Sequence, residues 1–336
     1  SDALAKGFVH YTHNRGILPM REAVAAYLKR QNGLDYDPKT EIMITAGAQE
    51  ALMLCTHALL DPGDEVLVPS PGFLLYYSSI PMLHAVPVPY VLKEPDYDWD
   101  GAPVSDRTKL MIFNNPNNPT GKVFSAEEMR DAADFVKKHD LLAISDEAYD
   151  RLLYGDARHR SLAAEPDMRE RTLLVGSLSK TYSMTGWRLG YAIAPQPIMD
   201  RIKQYHDFNT VGAPSPLMEA AVVGLDMPDS YYKEFGDHYA HMKKLFTDGL
   251  KQIGIPFTDP QGAYFVLADI GPYLRKGESD VDFCLEMAEK VGVACVPGTS
   301  FFNENVNNIV RVHFAKKDET LYEALDRLSH LKEKMR

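Results

Sequence analysis

The sequence predicts an α/β protein, in which a mostly parallel sheet is sandwiched by helices and a smaller α+β domain follows at the C-terminal end. Up to Pro216, short apolar runs alternate with stretches of helical periodicity, and this alternation is typical of βαβ units. The apolar runs contain few polar residues, as expected for strands that helices cover on both faces. After Pro216 a long helical stretch follows, and the regular alternation ends.

The elements can be assigned in chain order. An opening helix is predicted at 19–30, and Gln31-Asn32-Gly33 supplies its stop signal. The elements predicted next are strand 42–45, helix 49–60, strand 65–69, helix 73–80, strand 109–113, helix 126–139 and strand 141–145. Beyond Pro216 the pattern predicts helix 230–253, strand 264–269, helix 280–291, strand 293–297, strand 309–314 and helix 319–334. We therefore predict a large domain at 1–235 and a small domain at 236–336, joined by the long helix.

Composition argues against several functional classes. The chain has 336 residues, 45% of them hydrophobic and 25% charged, which is typical of a soluble protein of about two domains. A net charge of −11 disfavours nucleic acid or an anionic membrane as a partner. Cys55, Cys284 and Cys295 are too few and too scattered for a disulfide framework or a cysteine-based zinc site. With no apolar run of about 18 residues and no basic leader, these features predict a cytoplasmic protein without a metal site.

The segment Ser177-Leu178-Ser179-Lys180 lies between two apolar runs, 172–175 and 189–194, and Arg188 follows eight residues after the lysine. A lysine in such a place can form a Schiff base with an aldehyde cofactor, and the arginine can hold that cofactor's phosphate. A solvated loop lysine is the simpler alternative. The segment also matches the S-x-x-K of serine β-lactamases, but their S-D-N and K-T-G partners are absent from this sequence.

Two further polar clusters follow predicted strands. Thr45-Ala46-Gly47-Ala48-Gln49 joins a strand to a helix, and its backbone N–H groups would suit a phosphate, although such turns often bind nothing. No G-x-G-x-x-G or Walker loop occurs, which counts against nucleotide binding. The run from Asn114 to Gly121 reads as a tight turn rich in Asn and Pro. An Asn side chain there could also donate to a phenolate oxygen.

Two charged residues stand in or after apolar strands. Asp146, in Ser145-Asp146-Glu147-Ala148-Tyr149, would be partly buried and would need a cationic partner such as a protonated pyridine nitrogen. It could instead cap the next helix. Arg311 lies inside the apolar strand 309–314, where a substrate carboxylate or an internal acidic side chain would balance its charge.

In this order, the motifs resemble those of the fold-type-I pyridoxal-phosphate (PLP) enzymes, and within them the class I/II aminotransferases of the aspartate-aminotransferase type. The resemblance runs from His10 to the last helix. The matching residues are Tyr11, Gly16, Arg21, Gly47-Ala48-Gln49, Ser70-Pro71-Gly72-Phe73, Pro116 to Gly121, Asp146 to Tyr149, Ser177 to Lys180, Gly186-Trp187-Arg188, Pro297-Gly298-Thr299 and Arg311. It implies a seven-stranded, mostly parallel sheet and PLP as cofactor.

The resemblance also implies a role for each matching residue. Lys180 would bind the cofactor covalently and carry the proton at the substrate's Cα, while Asp146 would pair with the pyridine nitrogen. Asn118 and Tyr149 would hold the phenolate oxygen, and Phe73 would stack on the ring. Arg311, with Asn118 and Phe73, would bind the substrate. The phosphate would be held by Gly47, Ala48, Gln49, Ser177 and Arg188, and by Tyr11 of the neighbouring subunit, in a homodimer with shared active sites.

The function implied is that of an aminotransferase (EC 2.6.1.-) of amino-acid biosynthesis, which moves the amino group of an L-amino acid to a 2-oxo acid by a ping-pong mechanism. The expected acceptor is 2-oxoglutarate. A PLP-dependent C–S β-lyase of the same fold and a regulatory PLP-fold sensor are the alternatives. Gln49 stands where some aspartate-specific members have a lysine, which argues against strict aspartate specificity. By comparison with the family, we expect an N-terminal arm and the helix in 97–106 to be absent. We expect the loop near Gly262-Ala263-Tyr264 to influence specificity.

Overall fold

The structure is a computed structural model that describes residues 1–335, and it contains a seven-stranded and a four-stranded sheet. The larger sheet comprises β1 Ile42–Thr45, β2 Glu65–Ser70, β3 Val86–Val91, β4 Thr108–Asn114, β5 Leu142–Asp146, β6 Thr172–Ser177 and β7 Gly190–Ile193. The smaller comprises β8 Phe257–Thr258, β9 Phe265–Asp269, β10 Val296–Pro297 and β11 Ile309–His313. The helices are α1 Asp2–Ala5, α2 Leu18–Asn32, α3 Ala48–Leu59, α4 Leu74–Ser79, α5 Ala126–Lys138, α6 Leu178–Thr181, α7 Gln196–Asn209, α8 Ser215–Leu225, α9 Asp229–Ile253, α10 Asp280–Glu286, α11 Asp318–Ser329 and α12 Leu331–Lys334.

The larger sheet has the strand order β1-β7-β6-β5-β4-β2-β3, in which only β7 runs antiparallel to its neighbours. Helices cover both faces. Val66 and Val68 of β2 pack into the apolar cluster on one face, and Leu67 between them packs into the cluster on the other. This confirms the predicted mostly parallel sheet sandwiched by helices, and it explains why the strands read as continuous apolar runs.

Because β4, β5 and β6 are parallel, their last residues meet at one edge of the sheet. Asn114 is in register with Asp146, and Ser177 is in register with Gly190 of β7. Thr45, the last residue of β1, pairs with Gly190 from the other side. The polar clusters that the sequence places after strands are therefore brought together at this edge, where open α/β sheets bind their ligands.

The smaller sheet is antiparallel, in the order β10-β11-β9-β8, and it follows α9. The predicted domain boundary at 235/236 falls within α9. Phe235 packs near Tyr149, whereas Met242, Phe246 and Leu250 belong to the apolar cluster of the smaller sheet. We keep this boundary as a proposal that the change of packing partners supports. Among residues 1–335, none of the helices combines the length and apolar character that crossing a bilayer requires.

Several element predictions need correction. Strand β3 was not predicted, because Pro87 and Pro89 interrupt it; it lies at the sheet edge, where a strand tolerates proline. Helix 280–291 is α-helical only to Glu286 and ends in a π-helical turn, Met287–Val291. The predicted strand 293–297 reduces to β10, since its first residues pack on the core without pairing. The last helix breaks at His330, and the helix expected in 97–106 is indeed absent.

Candidate active site

A cavity of about 270 Å³ opens at the carboxyl edge of the larger sheet, between this sheet and the smaller one. Most of the residues singled out from the sequence line it. The lining residues are Ala48, Gln49, Leu52, Phe73, Asn114, Asn118, Asp146, Ala148, Tyr149, Ser177, Ser179, Lys180, Thr185, Arg188, Tyr264, Phe265 and Arg311. Of the predicted site residues, Gly47 lies just behind this lining and Tyr11 lies elsewhere.

One end of the cavity is suited to an anion. Helix α3 begins there, and within residues 1–335 the N–H groups of Ala48 and Gln49 have no acceptor. The Arg188 guanidinium lies beside this helix start, where its Nη1 donates to the Thr185 carbonyl at 3.1 Å. Gly47 has a φ of +85°, a backbone conformation that favours glycine, and a Cβ there would displace the Arg188 guanidinium, whose Nη2 would lie 2.5 Å away. The free N–H groups and the arginine together form a phosphate-sized positive site.

Ser177 has a local structural role at the same end. Its hydroxyl accepts a hydrogen bond from the Ser179 N–H at 3.2 Å and so caps α6, the short helix that carries Lys180. Its position as the last residue of β6 places it on the cavity wall. Ser177, the serine of the S-x-x-K match, thus supports the helix that carries the lysine, and both Ser177 and Ser179 line the cavity.

Asp146 is a buried carboxylate in the floor of the cavity. Its Oδ2 accepts from the Tyr76 hydroxyl at 2.7 Å, and its Oδ1 accepts from the Ala148 N–H at 3.2 Å. Burial raises the pKa of this carboxyl above its ordinary value. Within residues 1–335 no lysine or arginine reaches salt-bridge distance of it. An ionised carboxylate in such a place lacks a counter-charge, and a cationic ligand group would supply one.

The structure also shows whether Asp146 caps a helix, the alternative role considered from the sequence. A turn, and no helix, follows β5, so the carboxylate caps the Ala148 N–H of that turn while its other oxygen faces Tyr76. The next residue, Glu147, points away into a buried network. It accepts hydrogen bonds from Ser145 and Ser161 and contacts His159 at 2.9 Å. The two adjacent carboxylates therefore have separate surroundings.

Lys180 lines the cavity from α6. Its Nζ donates to the hydroxyl of Tyr264 at 2.9 Å and lies 5.7 Å from the ring centre of Tyr149. Burial raises the pKa of the Tyr149 phenol well above its ordinary value, and the neighbouring Tyr264 adds to this effect. Within residues 1–335 no acidic side chain forms a salt bridge with Lys180, so its amine remains available.

Arg311 faces the cavity from β11. Its guanidinium carbon lies 4.3 Å from the ring centre of Phe265 and 4.6 Å from that of Phe301. Nη1 donates to Oδ1 of Asn118 at 2.6 Å. Burial lowers its pKa, and the described residues offer it no carboxylate within salt-bridge distance. The internal acidic partner considered from the sequence is thus absent from residues 1–335, and the arginine is free for an external carboxylate.

The asparagine run forms a turn and places one amide on the cavity wall. Asn114 and Asn117 hold the turn, through bonds to the Asn118 N–H at 2.7 Å and to the Thr120 hydroxyl at 2.8 Å. Asn118 faces the cavity, and because its Oδ1 accepts from Arg311, its Nδ2 is left to donate into the cavity. Phe73 closes the side of the cavity, edge to face with Tyr76.

Tyr11 does not reach this cavity, and its side chain is 91% exposed. The residues not identified from the sequence as site residues include Tyr76 and Tyr264, which hold Asp146 and Lys180, and the two phenylalanines that pack on Arg311. Both tyrosine contacts join residues distant in the chain, and no spacing rule connects them. Only the small-residue turn Gly262-Ala263, before β9, marked the neighbourhood of Tyr264.

The comparisons with known proteins agree with this geometry. The family model "Aminotransferase class I and II" matches residues 2–328. An aspartate aminotransferase of Pyrococcus abyssi is 35% identical over 334 residues, which cover 97% of this chain and 85% of that protein. Aromatic-amino-acid aminotransferase 2 of Thermococcus litoralis is 35% identical over 341 residues, covering 99% and 87%. The solved N-succinyldiaminopimelate aminotransferase of Mycobacterium tuberculosis has a TM-score of 0.94 and 34% identity, covering 98% and 88%.

Proposed function

The chain belongs to the class I and II aminotransferases, which depend on pyridoxal phosphate, and we propose that it transfers the amino group of an L-amino acid to 2-oxoglutarate. The observation that carries this proposal is one cavity lined by four charged side chains that have no ionic partner within residues 1–335: Lys180, Asp146, Arg188 and Arg311. An amino acid and PLP together would complement all four.

The cavity residues fit PLP at both of its ends. The unpartnered N–H groups at the start of α3, with Arg188, suit its phosphate. The buried Asp146 suits its ring nitrogen, and Asn118 Nδ2 and Tyr149 are the donors available for its phenolate oxygen. Phe73 supplies an aromatic face for the ring. When bound, the cofactor supplies an aldehyde that takes up the amino group and a ring that accepts electrons.

We assign the proton-transfer step to Lys180. Its amine lines the same cavity as the anion end and Arg311, so it is available to remove and return a proton at the substrate's Cα. Tyr264 orients the amine through the hydrogen bond at 2.9 Å. Asp146 would stabilise a positive charge on a group bound beside it in the cavity, because the attraction between opposite charges is strong where water is excluded.

Arg311 would bind the α-carboxylate of the amino acid and, in the second half-reaction, that of the oxo acid. Its free donors and its bond to Asn118 orient a carboxylate over the cavity. Because Arg188 is occupied with the phosphate in this arrangement, both substrates would use Arg311 in turn. This sharing predicts ping-pong kinetics. The neutral amide of Gln49 on the wall supports a donor other than strict aspartate.

We also propose that the enzyme is a cytoplasmic homodimer of amino-acid biosynthesis. The exposed Tyr11 supports the dimer, because a side chain that is 91% exposed in one chain is free to reach the anion end of a neighbour's cavity. Phe208, at the end of α7, is 94% exposed and adds apolar surface for a second chain. The cytoplasmic location rests on the composition alone.

A donor panel tests the proposal. Purified protein with PLP is mixed with single L-amino acids and 2-oxoglutarate, and glutamate is measured. Borohydride reduction and mass spectrometry should find the cofactor's mass on Lys180, and Lys180→Ala should abolish turnover. Lys244→Ala, on the exposed face of α9, is the control and should be unaffected. Pyruvate and ammonia formed from a cysteine conjugate without an oxo acid would favour the β-lyase instead.

A further inference from the structure

Cys284 and Cys295 are in direct contact in the smaller α+β part of the chain. Cys284 lies on α10 and Cys295 lies one residue before β10, and their sulfur atoms are 3.1 Å apart. Both are free thiols, and neither lines the active-site cavity. The third cysteine, Cys55, is buried in the core beside the larger sheet and serves as an internal reference.

The backbone around the two thiols is already fixed. Asp280, at the start of α10, accepts from the Thr299 N–H at 2.8 Å and from its hydroxyl at 3.1 Å. Val296, next to Cys295, is paired with Arg311 of β11. The start of α10 and the segment that contains β10 are therefore held together near the thiols, and a sulfur–sulfur bond needs only a small side-chain adjustment.

The contact also activates one of the two sulfurs. The Cys295 thiol donates to the sulfur of Cys284, and this hydrogen bond lowers the pKa of the Cys284 thiol. A thiolate is the reactive form of cysteine towards peroxides and disulfides. Cys284 keeps 7% of its surface exposed, and Cys295 is half-buried, so a small oxidant can reach the pair.

We propose that Cys284 and Cys295 form a reversible intramolecular disulfide when the protein meets a hydroperoxide. The Cys284 thiolate attacks one peroxide oxygen, which yields a sulfenic acid and releases one water after protonation. Cys295 then attacks that sulfur and expels a second water. Two thiols and one hydrogen peroxide thus give one disulfide and two waters, and a dithiol reductant reverses the reaction.

The disulfide would tie α10 to the segment that pairs with Arg311 without entering the cavity. Closing this short loop restricts the unfolded chain, and we expect the thermal midpoint of the oxidised protein to rise by about 5 °C. Because Asp280 and Thr299 already join the same segments, the folded structure should change little. The pair would therefore form a redox-dependent cross-link that stabilises the smaller sheet.

Peptide mapping of the PLP-loaded protein tests this proposal. The protein is treated with hydrogen peroxide, blocked with N-ethylmaleimide and digested with trypsin without reduction. We expect the peptides 277–290 and 291–311 to be joined, with a loss of two hydrogens, and to separate after dithiothreitol. Cys55→Ser should retain this product, whereas Cys284→Ser should lose both it and the rise in midpoint.

Two results would overturn the proposal. One is that both peptides remain fully alkylated by the maleimide at a peroxide dose that oxidises an equal concentration of a free dithiol. The other is that non-reducing electrophoresis shows the disulfide between two chains. Both readouts are independent of enzymatic activity, so they distinguish a failure of this proposal from a failure of the proposed aminotransferase reaction.

Discussion

Lys180 donates a hydrogen bond from its Nζ to the phenol oxygen of Tyr264, over 2.9 Å, and this bond spans the boundary between the two sheets. Lys180 follows β6 of the larger sheet, and Tyr264 immediately precedes β9 of the smaller one. The phenol is further enclosed by Tyr149 and Tyr239, whose ring centres lie 5.6 Å and 6.3 Å from its own. The position of the central amine therefore depends on how the smaller sheet is packed against the larger.

Tyr264→Phe is the first prediction, because it keeps the ring and removes only the acceptor. A hydrogen bond to a charged group stabilises by about 1.5–3 kcal/mol, so we expect kcat to fall by at least about tenfold. The KM of the amino donor should change less than kcat, since the proposed carboxylate anchor Arg311 donates to Asn118 and not to Tyr264. The affinity for PLP is measured separately, because Tyr264 does contact Lys180. Steady-state kinetics and a PLP titration measure these quantities.

Tyr239→Phe is the matched control for that prediction. Its ring is stacked near Tyr264, but its hydroxyl forms no bond to Lys180. It should retain the wild-type kcat. If Tyr264→Phe retained it as well, Tyr264 would be a packing residue and the amine would be oriented by the cavity walls alone.

Much of this cavity could be predicted from the sequence, because its residues stand directly after apolar strands. Asp146 ends β5, while Asn118 and the Gly47 turn follow β4 and β1, and parallel strands bring such residues to one edge. Tyr76 and Tyr264 could not be found in this way, since their partners lie 70 and 84 residues away. Strand β3 was missed for a related reason: whether its prolines are tolerated depends on its being an edge strand, which is a property of the folded sheet.

Arg311→Lys replaces a planar guanidinium, which can form two parallel hydrogen bonds with a carboxylate, with an ammonium group that cannot. We expect the KM of the amino donor and that of 2-oxoglutarate to rise in parallel, by about tenfold or more, because both carboxylates use the same guanidinium. Arg158→Lys, at the protein surface, serves as the control. A rise confined to one of the two substrates in initial-rate kinetics would contradict a shared carboxylate site.

Tyr11→Phe tests the shared active site of the proposed homodimer. The side chain is exposed and makes no contact with the cavity of its own chain, so a monomeric enzyme should not respond to the loss of its hydroxyl. In a dimer of the proposed kind, the dissociation constant of PLP should rise by about three- to tenfold while the mass by analytical ultracentrifugation stays that of a dimer. An unchanged dissociation constant would remove Tyr11 from the phosphate site.

Asp146→Asn should separate stability from activity. Burial raises the pKa of this carboxyl, so the ionised form destabilises the folded, cofactor-free protein at pH values above that raised pKa. We therefore expect cofactor-free Asp146→Asn to unfold about 2–4 °C above the wild type at pH 8. The difference should shrink as the pH falls towards the unfolded carboxyl's pKa of about 4, because the wild-type carboxyl then becomes neutral too.

Binding of PLP should reverse that order. The wild-type carboxylate gains a cationic partner in the ring nitrogen, whereas an amide does not. PLP should therefore stabilise the wild type more than Asp146→Asn. For the same reason, kcat of the variant should fall by about a hundredfold or more. Asp248→Asn, whose carboxylate is exposed beside Lys244, is the control and should show neither effect. Scanning calorimetry with and without PLP measures how much the cofactor raises the unfolding temperature of each protein. Equal stabilisation of both proteins would mean that Asp146 does not face the cofactor's charge.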